Sequence, residues 1–184
     1  MQSKQLPSPT PLTERFDEIE ILAASLSLPV YIVDVESTGF GKHVTVGLVE
    51  FASIFVPPSG QTTTFSTLVK PGTPIHWGAS KVHGIYERDV QNAPTFPELA
   101  PGLRRGLSQT LVSGFNSRGY DTKLIQGNTV RYALEPIFAP IQLDVRDIWV
   151  ALHGQKGKLE EAARYYQVTP GVAHRAYGDV LTTA

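Results

Sequence analysis

The 184-residue chain contains no cysteine. Disulfides are therefore excluded, and so is zinc held by thiolates. A cysteine-free chain fits a reducing compartment. Long apolar runs are missing too, so no segment can span a membrane as a helix. Met1 to Pro11 is polar and proline-rich, lacks the apolar core of a secretory signal, and reads as a mobile end. A cytoplasmic location is the default expectation. An excess of one charge is also absent: 16 Lys and Arg stand against 17 Asp and Glu, a formal net charge of −1. There is no basic stripe of the kind that grips a long duplex, so any nucleic acid would be held at a short end. What is present, 41% apolar and 18% charged residues, excludes a disordered or fibrous chain. The length suits one domain with a sizeable core.

The chain read in order gives an added N-terminal element and then an alternating fold. Thr10-Pro11 looks like a cap followed by proline in a first helical turn. Phe16, Ile19, Leu22, Ala23 and Leu26 then share a face at helical spacing, predicting an amphipathic helix over 12–26. Strands are expected at 30–35, 44–56 and 62–70, with Pro57-Pro58-Ser59-Gly60 turning between the second and third. A loop-rich crossing with a short helix follows over 75–95. Helices are expected at 97–107, 119–132, 145–153, 158–167 and from 173 onward. Strands fall at 110–115 and 141–144. Three antiparallel strands followed by alternating helix and strand make an α/β fold with a mixed five-stranded sheet flanked by helices. Residues 1–29 read as an N-terminal extension and 30–184 as the main domain.

The chemistry concentrates in Tyr31-Ile-Val-Asp-Val-Glu-Ser-Thr-Gly-Phe40. Alternate strand residues share a face, so Asp34 and Glu36 project together while Val33 and Val35 point the other way. Two adjacent acids stay ionised only beside positive charge. All-oxygen ligands favour magnesium or manganese over zinc. Taken alone, the pair reads equally as a cation site or as a solvated strand end. Two later stretches carry similar groups where an element meets a loop: Asn116 with Asp121, and His174-Arg-Ala-Tyr-Gly-Asp179. Helical positions five apart are rotated by roughly 140°, so Asp179 belongs on the helix and His174 at its start or just before it. Glu50, Asp144 and Asp147 read as structural acids, one at a strand edge and two near a helix start.

Asp34-x-Glu36 followed by Ser-Thr-Gly, Asn116 with Asp121, and His174-x-Ala-x-x-Asp179 together resemble the three motifs of the DEDD family of 3′–5′ exonucleases, histidine subclass. His83-Gly84-Ile85, with Pro94 and Phe96, is similar to the family's segment between the first two motifs. The resemblance spans about 30 to 184. It implies a ribonuclease H-like fold and two divalent cations, Mg2+ or Mn2+. Asp34, Glu36 and Asp179 resemble the direct metal ligands, with Asp34 bridging both ions. Asp121 resembles the acid that holds the second ion, and His174 the general base. Thr38 and Gly39 would approach the terminal sugar through their backbone. Phe40 resembles the wedge between the last two bases, or is a core or surface aromatic. His83 lines the terminal-nucleotide pocket or serves the turn, and Asn116 orients the site or caps its turn. The implied substrate is a single-stranded 3′ end of DNA or RNA, cut to nucleoside 5′-monophosphates, with a polymerase or other protein as a possible partner. The alternatives are a catalytically silent module of the same fold and an unrelated metal-dependent phosphohydrolase of small nucleotides. Three departures stand out. Ser37 replaces a common threonine, Phe115 stands where the family often has histidine, and the last helix stops soon after Asp179.

Overall fold

The structure, a computed structural model, describes residues 8–11 and 16–184. Its sheet has six strands in the order β1-β4-β3-β2-β5-β6. Five are the expected ones: β2 (Val30–Ser37), β3 (Leu48–Val56), β4 (Thr63–Leu68), β5 (Leu111–Gly114) and β6 (Ile141–Asp144). β2, β3 and β4 form an antiparallel meander, whereas β5 and β6 join β2 in parallel. The sixth is a correction. Thr10–Pro11 does not start a helix; it forms the two-residue strand β1, antiparallel to Thr63–Thr64 of β4. A Thr-Pro pair suits a strand edge as well as a helix start, because proline needs no ladder donor at an edge. The expected helix starts later, as α1 (Asp17–Leu26). Residues 12–15 of that expected helix, and 1–7 of the expected mobile end, lie outside the described residues. β3 likewise begins at Leu48, because residues 43–46 make a turn.

The remaining helices are α2 (Trp77–His83), α3 (Glu87–Val90), α4 (Phe96–Ser108), α5 (Asp121–Arg131), α6 (Val145–His153), α7 (Leu159–Tyr166) and α8 (Ala176–Thr183). The period of two in β2 sorts its side chains into two cores. Val33 and Val35 pack with Phe51, with Leu99, Leu103 and Leu107 of α4, and with Leu124 and Ile125 of α5. Val30 and Ile32 face the other way, toward Ala52, Ile54, Ala23 of α1, and Ala176 and Val180 of α8. α8 crosses β2 and β3, and α7 packs on α8. β5 approaches β2 closely at Gly114, where a Cβ would stand 2.6 Å from the Val33 carbonyl oxygen. No helix among the described residues is long and apolar enough to cross a membrane.

Candidate active site

The site forms where β2 runs out beneath α8. Asp34 and Glu36 share the α8 face, as their spacing requires. β2 shifts register against β3 between Glu36 and Ser37, which ends the regular ladder there. α8 brings Asp179 over them. One carboxylate oxygen each from Asp34, Glu36 and Asp179 lies within 4.8 Å of the others. Asp121, at the first position of α5, is outside that group of three. It is buried, and its Oδ1 accepts the Val35 N–H at 2.9 Å from the neighbouring position of β2.

Burial is the first cause of raised pKa in all four carboxyls, and repulsion from neighbouring carboxylates, Glu50, Asp144 and Glu160 among them, adds to it. Glu36 is pushed up to about 8, Asp121 to about 7 and Asp179 to about 6. Asp34, surrounded by Asp121, Asp179, Glu36 and Glu50, is pushed well above the usual carboxylate range. Near Asp179 the His174 ring and backbone N–H act in the opposite direction and favour the charged form. Hard oxygen donors crowded together against their own repulsion suit a small divalent cation, so the donor set fits magnesium or manganese.

His174 precedes α8 in a turn, with a left-handed φ of 58°. Its side chain is half exposed, and Nε2 lies 3.8 Å from Glu160 Oε1 of α7. This places Asp179 on the helix and His174 before it, as the five-residue spacing predicted. Phe40 is 97% exposed, which excludes a core role. A cleft of about 300 Å3 runs from Thr38, Gly39 and Phe40 to Thr73, Pro74 and His76. The Thr38 backbone is committed within the protein: its N–H donates to Gly47 O at 2.9 Å and its carbonyl accepts from His76 N–H at 2.8 Å. His83 is buried and clamped: Nδ1 accepts the Ile85 N–H at 3.0 Å, so Nε2 carries the proton and donates to Ser37 O at 3.2 Å. Burial holds its pKa below the ordinary value. His83 thus fixes the end of β2. Asn116 sits at φ 66° in the turn after β5, and its Oδ1 accepts Arg146 Nη1 at 2.7 Å.

Asp144 is the N-cap of α6 and accepts N–H groups of Asn116 at 2.8 Å, Arg118 at 3.0 Å and Arg146 at 3.0 Å. Asp147 pairs with Arg118 at 2.5 Å. Both are structural, as expected. Glu50 needs a correction. It is not at a strand edge but buried inside β3, opposite Glu36, and paired with Arg175. Sequence reasoning missed Arg175 altogether. The available signal was Glu50 itself, a lone charge in the apolar run Leu48–Val56 that has to find a partner somewhere.

Residues 31–184 match the family model described as Exonuclease (RNase_T). The chain is 29% identical over 165 residues to the uncharacterized exonuclease CP81 of Escherichia phage 186, covering 82% of each. It is 28% identical over 157 residues to DNA polymerase III subunit epsilon of Aquifex aeolicus (strain VF5), covering 83% of this chain and 75% of the relative. Among solved structures, E. coli exonuclease I in complex with a dA16 oligonucleotide is similar at a TM-score of 0.72 and 17% identity, which speaks to the fold. That match covers 85% of this chain, which spans 39% of the exonuclease I chain. Since the family model runs from Tyr31 in β2 to the end of the chain, over five strands of the ribonuclease H-like sheet and its converging acids, the chain belongs to the DEDD exonuclease family.

Proposed function

We propose that the protein is a divalent-metal-dependent 3′–5′ exonuclease of the histidine subclass. It hydrolyses the last phosphodiester of a single-stranded 3′ end of DNA or RNA and releases nucleoside 5′-monophosphates. The observation that carries this is the meeting of Asp34, Glu36 and Asp179 within 4.8 Å, with His174 beside Asp179.

Asp34, Glu36 and Asp179 would hold Mg2+ or Mn2+, with Asp121 supporting a second ion. When bound, such ions supply charge relief at the phosphoryl group and stabilise the leaving oxygen. The chain supplies the rest. His174 takes the proton from the attacking water, and its half-exposed ring before α8 is open to the side from which that water would come. Phe40, projecting into solvent beside the cleft, wedges against the terminal bases. The clamp of His83 on Ser37 O and the ties of Thr38 to Gly47 and His76 keep the strand end from shifting as substrate enters. A protein partner, such as a polymerase, would use surface outside this cleft.

The test is a ladder assay with 5′-labelled DNA and RNA oligomers, single- and double-stranded. The expected result is stepwise shortening from the 3′ end, requiring Mg2+ or Mn2+ and abolished by EDTA. Release of the 5′ label as the first product, or hydrolysis of free nucleotides alone, would refute the proposal.

A further inference from the structure

β3 is apolar over Leu48–Val56 apart from Glu50 and Ser53, and the Glu50 side chain is 2% exposed. It faces Glu36 directly across the ladder, where like charges destabilise. A buried carboxylate persists only with donors around it. Glu50 has three. Arg175 Nε donates to Oε2 at 3.0 Å, Arg175 Nη2 donates to Oε1 at 2.6 Å, and the Ala176 N–H donates to Oε2 at 3.0 Å. The two-pronged guanidinium contact fixes direction as well as distance.

These donors occupy a particular place. Arg175 directly follows His174, and Ala176 opens α8. The Arg175 carbonyl in turn accepts the Asp179 N–H at 3.0 Å. One carboxylate in the central sheet therefore fixes the residue after the proposed base and the helical turn that presents Asp179. His174 itself holds a left-handed φ of 58°, a conformation that lasts only where its surroundings impose it. A second strap acts from the far side of the turn, where the Gly171 N–H donates to Thr182 Oγ1 at 2.9 Å. An ion pair that takes a carboxylate out of water is a poor source of net stability, since apolar residues of similar volume often serve as well. Its direction and its site of attachment are what distinguish it here.

We propose that Glu50 and Arg175 are positioning residues of the reaction: their pairing, with Glu50 buried and Arg175 half exposed, sets the start of α8 and thereby the placement of His174 and Asp179 against Asp34 and Glu36. This role rests on the function proposed above. The hydrogen bonds of the pair go to the start of α8, so it acts through the residues it holds in place.

The test is the double variant Glu50→Met/Arg175→Met, which removes both charges without leaving either one buried alone. Thermal unfolding should stay close to the wild type. With a single-stranded oligomer, kcat should fall about 10–100-fold, the worth of a small misplacement, while KM stays within about twofold. Amide exchange at Ala176 and Asp179 should quicken about tenfold or more, with exchange in β2 unchanged. Arg175→Lys keeps the charge but loses the fork and should fall between the two. A folded double variant with wild-type kcat and unaltered exchange at Ala176 and Asp179 would overturn the assignment. If the double variant does not fold, Arg175→Lys decides by the same two readouts. If the wild type hydrolyses neither DNA nor RNA with Mg2+ or Mn2+, the proposed function fails. Exchange at Ala176 and Asp179 then still decides whether the pair positions this segment.

Discussion

At the scale of residues, four carboxylates held in one half-buried place cannot all be charged without cations. Each is raised above its ordinary value, chiefly by burial. A carboxyl raised in the folded state favours folding below its unfolded pKa of about 4 and loses that contribution as pH rises through the folded value. For Glu36, Asp121 and Asp179 the folded values are about 8, 7 and 6, so the loss runs from about pH 4 to 8. His83 works the other way: lowered by burial, it adds stability as pH rises toward its unfolded value. The test is therefore a difference in which His83 cancels. In EDTA the melting temperature of the wild type should fall more steeply over this window than that of Asp34→Asn, and added Mg2+ should stabilise most at the alkaline end. Parallel curves would show that the acids repel little. In calorimetric titrations with Mn2+, Asp34→Ala should lose binding, whereas His174→Ala should retain it while its rate drops by about 10²–10⁴-fold. Lost Mn2+ binding in His174→Ala would make that residue a ligand. The acids and the histidine were legible because strand period and motif spacing are local properties of the chain. Arg175 was not, because its partner lies 125 residues away and no spacing encodes the contact. Nor did the sequence reveal that both backbone groups of Thr38 are already engaged.

At the scale of elements, α8 carries one ligand of the proposed centre on only eight residues. A helix that short is marginal alone and must be docked. Ala176, Val180 and Leu181, at spacings near one helical face, do this by packing with Val30, Ile32 and Ile54. Gly178 lies against Val172 of the preceding turn, where an added methyl would overlap the Val172 backbone. Gly178→Ala should therefore cost about 1–3 kcal/mol of stability and displace the turn that holds His174. Chemical denaturation and the ladder assay check this together: the expected outcome is a lower midpoint with a lower kcat, and an unchanged pair of values would contradict it. Long elements such as α4 and β3 were legible from apolar periodicity summed over many residues. β1 was not, because two residues have no period and Thr-Pro reads equally well at a helix start. The cap of α1 was missed for a related reason: Phe16 rather than Thr10 precedes the helix, while the buried stripe stays in place.

At the scale of the molecule, a net charge of −1 leaves little long-range attraction for a polyanion. A single strand held by few phosphates should show a shallow salt dependence, with log Kd changing by about 0.7 per phosphate neutralised for each decade of salt. In fluorescence titrations of a 5′-labelled oligomer in EDTA, we expect a slope equivalent to about two or three phosphates. A slope equivalent to many more would reveal a basic track that the sequence does not show. The order of the mixed sheet was legible in outline, since three consecutive strands followed by alternating helix and strand leave few pairings open. The joining of β2 to β5 and the return of α8 over β2 and β3 have a further consequence, for the birth of the protein. Translation delivers the strands early and α8 late, and chains acquire structure as they emerge. Until α8 arrives, Glu50 lacks its three donors and Asp34 and Glu36 lack Asp179. A nascent chain from which α8 has not yet emerged therefore holds no assembled centre, whatever its strands have already formed.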